Sequence, residues 1–334
     1  MSESNLNTKP HSLLSRTLHA CAVAVVGLSL SPAAQAQAWP SRPIVWLYPF
    51  GESAATAWVR TIANEMSKSL GQPVLVENRP GAGGRVGMTQ LMNGKPDGYM
   101  ISIAIPATLV YQPLTSPTFK IEPVKNYTPI TQIYVLKLPL FASVKVPFTD
   151  VKGMLDFARA NPGKLNFGST GNGGTGHVAV ELINAKAGVK ITHIPYKGEG
   201  EQVSGTLSGD IQLFVASAGP KVHVDAGRMQ VLATTGNTRS KTFPDKPTLR
   251  ESGLDVSLEQ WMGVVAPPGL PADIANRINL AIRAAMKDPT VMKAAETAGV
   301  EPMFDSSPEA FLAVIRNDFK VLEPVVRQTG MVTE

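Results

Sequence analysis

The feature that most constrains the fold is a glycine-rich segment at residues 168–176, which lies between a short apolar strand and a periodic helix. Four glycines within six residues, at 171–176, leave backbone without Cβ atoms at the point where the strand turns into the helix. The first N–H groups of a helix have no intrahelical partner, and a helix start carries about half a positive charge. Such a helix start binds anions. The sequence therefore predicts that the glycine-rich segment holds a carboxylate.

Two other interpretations of this segment stay open. Residues 171–176 also spell G-x-G-x-x-G, the pattern of dinucleotide-binding loops. That pattern requires an acidic residue at the end of the next strand, about 20 residues further on. The next strand, at 191–196, ends in Lys197-Gly198 without a carboxylate. The other alternative is a turn that binds nothing.

The N-terminus is typical of a secretory signal. Lys9 and Arg16 form a positive region, residues 20–30 form an apolar core, and Ala34-Gln35-Ala36 provides a cleavage site before Gln37. The apolar core, at about 11 residues, is short for a membrane span. We therefore predict an exported protein that is cleaved near Ala36.

Cysteine content and charge exclude several classes of function. The one cysteine, Cys21, lies inside the predicted signal, so the mature chain is expected to lack disulfides and thiolate metal sites. The formal net charge of +5 is spread along the chain without a Lys/Arg run, so we expect no nucleic acid partner. The motifs of hydrolases and metalloenzymes are absent from the sequence. Ser169 and His177 are eight residues apart and lack an evident orienting carboxylate, so we predict no enzyme, no cofactor and no metal.

The first part of the chain alternates strands and helices. Strands are predicted at 44–48, 74–76 and 99–105, with helices near 58–70 and 86–93. This β-α-β-α-β order indicates a parallel sheet with helices on both faces.

A second series of strand–helix units follows a proline-rich connection. Similar unit lengths in the two series predict two α/β lobes. Loops that follow parallel strands gather at one edge of a sheet, where ligands bind. Residues 49–53, which we call the first loop, and residues 170–174 would then face each other across a cleft. The predicted strands of this part lie at 130–136, 140–144, 164–167, 191–196, 211–216, 231–234 and 261–266, and the last three helices lie near 271–287, 289–298 and 308–328.

Short motifs along the whole mature chain resemble those of a known family. The most specific is the run Glu77-Asn78-Arg79-Pro80-Gly81-Ala82-Gly83-Gly84. On these motifs the chain resembles the extracytoplasmic solute receptors of the Bug type, the binding component of tripartite tricarboxylate transporters. The further motifs are Trp39-Pro40-Ser41-Arg42-Pro43-Ile44, Pro96-Asp97-Gly98-Tyr99, residues 165–177, residues 193–198 and residues 261–267.

The resemblance implies a periplasmic-binding-protein-like α/β fold of type II, with two lobes joined by two crossover strands. The signal would span 1–36, the discontinuous lobe 1 would comprise 37–138 and 257–334, and lobe 2 would comprise 139–256. The resemblance also implies a periplasmic protein, which we expect to be a monomer. It would capture a small organic carboxylate between its lobes and deliver it to the membrane subunits of its transporter.

The resemblance further implies which residues contact the ligand. One ligand carboxylate would lie between the first loop and the glycine-rich helix start, held through backbone N–H groups and water. The matching positions are Phe50, Gly51, Glu52 and Ser53 in the first lobe and Ser169, Thr170, Gly171, Asn172, Gly173, Thr175 and His177 in the second.

Several positions depart from the family pattern. Glu52-Ser53 replaces a glycine pair, Thr56 stands at an aspartate position, and Val215 stands where many relatives carry an acidic residue. In relatives such acidic groups can pair with a ligand amine. We therefore expect a carboxylate without an amine, with Thr56 and Ser217 offering neutral hydrogen bonds. Glu52 would repel an anion unless it points to solvent.

Two further residues are weaker ligand candidates. Tyr196 ends a strand at the ligand edge and is either an aromatic wall of the cleft or a ring packed between strand and helix. Thr108 follows the third strand of the first lobe. Two alternative functions also stay open, an exported nucleotide-using enzyme and a ligand receptor for a signalling partner.

Overall fold

The computed structural model describes Met1, residues 39–298 and residues 300–331. Apart from Met1, the predicted signal at 1–36, with Cys21 and the cleavage site, lies outside the described residues. Residues 1–41 form a unit separate from residues 42–334. Of the first unit, beyond Met1, residues 39–41 are described, and the Trp39–Pro40 peptide bond is cis.

The remainder of the described chain alternates strands and helices in a mixed α/β arrangement. The strands are β1 (Ile44–Tyr48), β2 (Val74–Asn78), β3 (Met100–Ala104), β4 (Thr128–Lys137), β5 (Pro139–Ser143), β6 (Asn166–Ser169), β7 (Thr192–Pro195), β8 (Leu213–Val215), β9 (Met229–Thr234), β10 (Glu259–Ala266) and β11 (Glu301–Pro302). The helices are α1 (Ala54–Leu70), α2 (Arg85–Met92), α3 (Gln112–Thr115), α4 (Val151–Ala160), α5 (Thr175–Ala187), α6 (Glu199–Ser208), α7 (Lys221–Asp225), α8 (Ala272–Ala285), α9 (Pro289–Ala298) and α10 (Pro308–Thr329). A 3-10 turn at Ala82–Gly84 precedes α2, and a π-helical turn at Ala107–Tyr111 leads into α3.

The strands form two sheets. The first has the order β11-β4-β10-β3-β1-β2, and the second has the order β7-β6-β8-β5-β9. In the first sheet β1 pairs in parallel with β2 and β3, as the β-α-β-α-β order predicts. The chain leaves this sheet after β4 and returns to it at β10, which lies antiparallel between β3 and β4.

The second sheet places the glycine-rich segment at its ligand edge. Strand β6 pairs in parallel with β7 on one side and with β8 on the other. The segments that follow these three strands therefore emerge at the same edge. Strand β5 is antiparallel to both β8 and β9.

Helix α1 shows how local sequence defines an element. Ser53 caps its N-terminus, because the Ser53 hydroxyl accepts a hydrogen bond from the Thr56 N–H at 3.2 Å. Gly71 ends the helix in the left-handed conformation, with φ of 69°, which costs glycine no steric strain. Its buried face includes Trp58 and Ile62. Trp46, Trp58 and Trp261 are all buried in the core.

Gly263 allows the C-terminal helix to pack on the first sheet. Gly263, in β10, lies directly under the ring of Phe311, which belongs to α10 and is fully buried. A Cβ atom at position 263 would overlap that ring. Helix α10 thus packs on the first sheet at β10.

Candidate functional site

The glycine-rich segment forms an uncapped helix start. Strand β6 ends at Ser169 and α5 begins at Thr175, with Gly171 and Gly173 at φ of 119° and 70°. Gly174 is the N-cap residue, and no side chain caps the helix. The N–H groups of Thr175, Gly176 and His177 occupy the first turn and have no intrahelical acceptor. They are available to an anion.

Gly176 brings this helix start close to the end of β6. A Cβ atom at position 176 would lie 2.9 Å from Ser169 Cβ and 3.2 Å from Ser169 Cα. Because a backbone atom cannot move aside as a side chain can, only glycine fits here. The approach fixes the N-terminus of α5 at the sheet edge.

Two stacked histidines lie beneath the glycine-rich segment. The rings of His177 and His193 are 3.9 Å apart at an interplanar angle of 8°. His177 Nδ1 accepts the N–H of Gly173 at 3.0 Å, and His193 Nε2 lies 2.5 Å from Ser169 Oγ. Ser169 Oγ also donates to the Gly171 carbonyl at 2.9 Å and accepts the Gly171 N–H at 3.1 Å. These contacts hold the loop in shape and occupy the N–H groups of Gly171 and Gly173.

The surroundings of both histidines favour the neutral form of the ring. Burial lowers the pKa of His177. Burial, together with a smaller contribution from the neighbouring His177, lowers the pKa of His193 to about 4. His177 was predicted as a ligand contact, and the structure shows its Nδ1 engaged by the loop itself.

The first loop is anchored within its own lobe. The Asn78 amide donates to the Phe50 carbonyl at 2.9 Å, and the Phe50 ring meets the Tyr48 ring edge-on at a centroid distance of 5.8 Å. Glu52 forms an ion pair with Arg60, and its side chain is 66% exposed. Arg60 also donates to the Asn78 side chain at 2.8 Å. Glu52 is therefore neutralised and directed towards solvent.

Residues 77–84, the most specific motif of the family resemblance, pack against the first loop. Asn78 ends β2 and ties down the first loop. Gly84 has φ of 95°, and a Cβ there would lie 2.7 Å from Thr108 Cγ2 and 3.0 Å from the Phe50 ring. Arg79 pairs with Glu77 at 2.6 Å. The run thus shapes the wall behind Phe50.

Thr56 and Thr108 are both engaged by their own lobe. Thr56 is fully buried, and its hydroxyl donates to the Gly51 carbonyl at 3.2 Å. Thr108 is also buried, and its hydroxyl bonds to the Ile105 backbone at 3.0 Å. The structure places both residues behind the first loop.

The candidates that follow β7 and β8 differ in their surroundings. The Tyr196 ring packs against β6 and α6, where a Cβ at Gly205 would lie 2.8 Å from its hydroxyl. Val215 is buried in the core. Ser217 donates to the carboxylate of Glu199 at 3.1 Å.

The sequence pattern left the roles of three site residues undetected. Asn78 stood inside the most specific motif without an assigned role, and His193 gave no signal because its partner Ser169 lies on the neighbouring strand. Glu199 directly follows Gly198, a few residues after the predicted strand at 191–196, and that position was its only signal.

The described residues hold neither a metal-ligand cluster nor a membrane-spanning helix. Within residues 39–298 and 300–331, no three His, Cys, Asp or Glu side chains are grouped so that they could hold a metal ion. In the same residues no helix has the length and apolarity needed to cross a bilayer.

Comparisons with known proteins identify the family of this chain. The family model described as "TctC: Tripartite tricarboxylate transporter family receptor" matches residues 58–331. A relative from Cupriavidus necator, named "UPF0065 protein in gbd 5'region", is 35% identical over 292 residues, which are 86% of this chain and 88% of the relative.

Two solved structures are similar over most of the chain. A ligand-free TctC solute-binding protein from Polaromonas has a TM-score of 0.79 and 27% identity, and the match covers 87% of this chain and 99% of that one. The R. palustris protein Rpa4515, solved with adipate, has a TM-score of 0.71 and 27% identity, and the match covers 88% and 99%. The two-lobe periplasmic-binding-protein fold expected from the resemblance is thereby confirmed. The family consists of solute-binding receptors rather than enzymes, and the chain belongs to the tripartite tricarboxylate transporter receptor family.

Proposed function

We propose that this protein is a periplasmic receptor that closes two lobes around a small organic carboxylate and delivers it to tripartite tricarboxylate-type membrane subunits. The observation that carries the proposal is the uncapped N-terminus of α5, held at the sheet edge by Gly176. Export would remove residues 1–36. Lobe 1 would comprise 37–138 and 257–334, lobe 2 would comprise 139–256, and the receptor would act as a monomer.

The free donors of the glycine-rich segment suit a carboxylate. Beyond the first-turn N–H groups of α5, the N–H groups of Thr170 and Asn172 form no backbone hydrogen bond within the described residues. Hydrogen bonds to a charged group contribute about 1.5–3 kcal/mol each. Micromolar affinity requires about −8 kcal/mol in total, so a few such bonds and an apolar contact are sufficient.

The opposite wall of the cleft would be the first loop. Phe50, Gly51 and Ser53 lie at the carboxyl end of β1, the ligand edge of the first sheet. The ion pair of Glu52 with Arg60 removes the repulsion that a free carboxylate would exert on an anion. The adipate-bound neighbour supports a ligand of this class for the receptor.

The decisive test removes one N–H group from the helix start without breaking the helix. Thr175 is the first helical residue, where proline is tolerated because its missing N–H has no helical partner. Gly174 is extended, with φ of −77° and ψ of 169°, as the residue before a proline prefers. Thr175→Pro should therefore fold normally and bind acids about 10-fold more weakly, whereas Thr175→Ala keeps the N–H and most of the affinity.

The exported protein would first be refolded without ligand and screened by thermal unfolding. The panel comprises dicarboxylates, tricarboxylates, aromatic acids, amino acids and dinucleotides. A ligand at 100 times its Kd adds about 2.7 kcal/mol of stability. Equal affinity in the Pro and Ala variants, or a response to dinucleotides alone, would contradict the proposal.

A further inference from the structure

One carboxylate at the ligand edge of the second sheet is still without a role. Glu199 is the first residue of α6, which follows β7, and Ser217 lies just after β8. Ser217 Oγ is 3.1 Å and 3.4 Å from the two carboxylate oxygens of Glu199. Because β6 lies between β7 and β8, this contact spans the end of β6. The Glu199 carboxylate therefore lies at the edge of the sheet from which the glycine-rich segment also emerges.

The segments that follow β7 and β8 both hold the hydrogen bond between Ser217 and Glu199 in place. Ser217 Oγ accepts the N–H of Gly219 at 3.3 Å, so its single proton is directed to Glu199. A Cβ atom at Gly219 would lie 2.8 Å from Glu199 Oε1, so the segment after β8 closes tightly around the carboxylate. One hydrogen bond from Ser217 leaves most of the acceptor capacity of the carboxylate unused.

No cationic side chain among the described residues pairs with Glu199, although its place in the first turn of α6 favours a negative charge. Within the described residues Glu199 takes part in no ion pair, whereas Glu52 pairs with Arg60 and Lys221 pairs with Asp225. A free carboxylate close to a bound ligand carboxylate repels it. A positive charge on the ligand would offset this repulsion, and a ligand hydroxyl would not.

We propose that Glu199 binds a ligand ammonium group, so that the receptor selects small carboxylates that also carry an amine. This inference rests on the proposed function, in which α5 holds the ligand carboxylate. It replaces the expectation of an amine-free ligand, which rested on the neutral residues at 56 and 215. Val215 is part of the core and Thr56 is bonded to Gly51, so neither residue is directed at a ligand.

The test compares ligands that differ by the ammonium group alone. Aspartate with succinate and glutamate with glutarate form two such pairs, and malate adds a hydroxyl in place of the amine. Dissociation constants would be measured by calorimetry on the ligand-stripped exported protein. In the pair whose length fits, the amino acid should bind about 10-fold or more tightly than its amine-free partner, the range expected for charge-assisted hydrogen bonds.

Glu199→Gln should remove this preference, because an amide keeps the shape and loses the charge. Glu201→Gln is the matched control, since Glu201 lies in the same helical turn and its carboxylate accepts the backbone N–H of Lys197 at 3.0 Å. Ser217→Ala, which keeps the charge but removes the hydroxyl that orients it, should reduce the preference several-fold. If Glu199→Gln fails to fold, Ser217→Ala still tests the role of Glu199.

The outcomes separate the two proposals. If wild type and Glu199→Gln bind amine-free acids equally well and neither prefers the amino acid, the carboxylate receptor stands and the role of Glu199 is wrong. Malate binding as tightly as aspartate would equally overturn that role. If wild type binds neither these acids nor the tricarboxylates and aromatic acids of the wider panel, the proposed function fails and the inference fails with it.

Discussion

At the scale of single residues, His193 should make stability depend on pH. Its folded-state pKa of about 4 lies below the ordinary histidine value of about 6.5, which the unfolded chain should show. Between these values the unfolded state binds a proton that the folded state does not. The contribution of His193 to stability is therefore complete above about pH 6.5 and is lost as the pH falls from there through about 4.

His193→Gln should flatten this dependence. The variant loses the titrating ring but keeps an acceptor and a donor near Ser169. Urea unfolding of both proteins at pH 7 and pH 5 measures the effect, and we expect a smaller loss of unfolding free energy for the variant at pH 5. An equal loss in both proteins would show that the acid sensitivity arises elsewhere in the chain.

Single residues also show how far sequence reasoning reaches. The glycines at 171–176 predicted a bare helix start because glycine alone lacks the Cβ that would block it. The contact of Ser169 with His193 could not be predicted, because the partners are 24 residues apart and meet only through the register of β6 with β7. Short-range patterns do not encode that register.

At the scale of elements, Asn78 at the end of β2 should fix the position of the first loop. The Asn78 side chain donates to the Phe50 carbonyl and accepts from Arg60, so it links β2, the first loop and α1. Asn78→Ala should cost about 1–2 kcal/mol of unfolding free energy and weaken ligand binding about 10-fold, because the loop loses its anchor.

Asn126→Ala is the control for this element. Its side-chain amide likewise bonds to the backbone, but here the oxygen accepts the N–H of Glu122 at 2.8 Å, in a connection outside the first loop. Urea unfolding and calorimetry should show similar stability losses for the two variants and an affinity loss only for Asn78→Ala. Unchanged affinity in Asn78→Ala would mean that the first loop does not depend on this anchor.

Elements built from adjacent units were predictable, and those assembled over long distances were not. The parallel trio β2-β1-β3 followed from the β-α-β-α-β order. The place of β10 between β3 and β4 depends on pairing between residues more than 120 positions apart, such as Trp261 with Val135. The turn Ala107–Tyr111 and α3 were missed because Pro113 indicated a connection, although proline is compatible with the first turn of a helix.

At the scale of the whole molecule, the repeated strand–helix units in the sequence predict two lobes. They do not predict the hydrogen bonds that link the two crossovers. Leu138 lies between β4 and β5, and Leu258 lies just before β10, so each belongs to one crossover. The Thr235 hydroxyl donates to the Leu258 carbonyl and accepts the Leu138 N–H at 3.1 Å. No local pattern marks Thr235, because its partners are 97 and 23 residues away.

Thr235 should therefore limit how far the lobes separate. Thr235→Val has nearly the same shape but leaves the Leu138 N–H and the Leu258 carbonyl without this buried partner, at a cost of about 2 kcal/mol in unfolding free energy. Thr235→Ser keeps the hydroxyl and loses one methyl group, at a cost of about 0.8 kcal/mol. Because only the backbone hydrogen bonds of Thr235 to the Leu138 carbonyl at 2.9 Å and from the Leu258 N–H at 2.8 Å would still join the crossovers, the unliganded valine variant should also have a larger radius of gyration by small-angle X-ray scattering than the serine variant. Equal stability and equal dimensions in the two variants would show that the Thr235 hydroxyl does not couple the crossovers. The restraint on lobe separation would then have to come from the packing of α10 against α5.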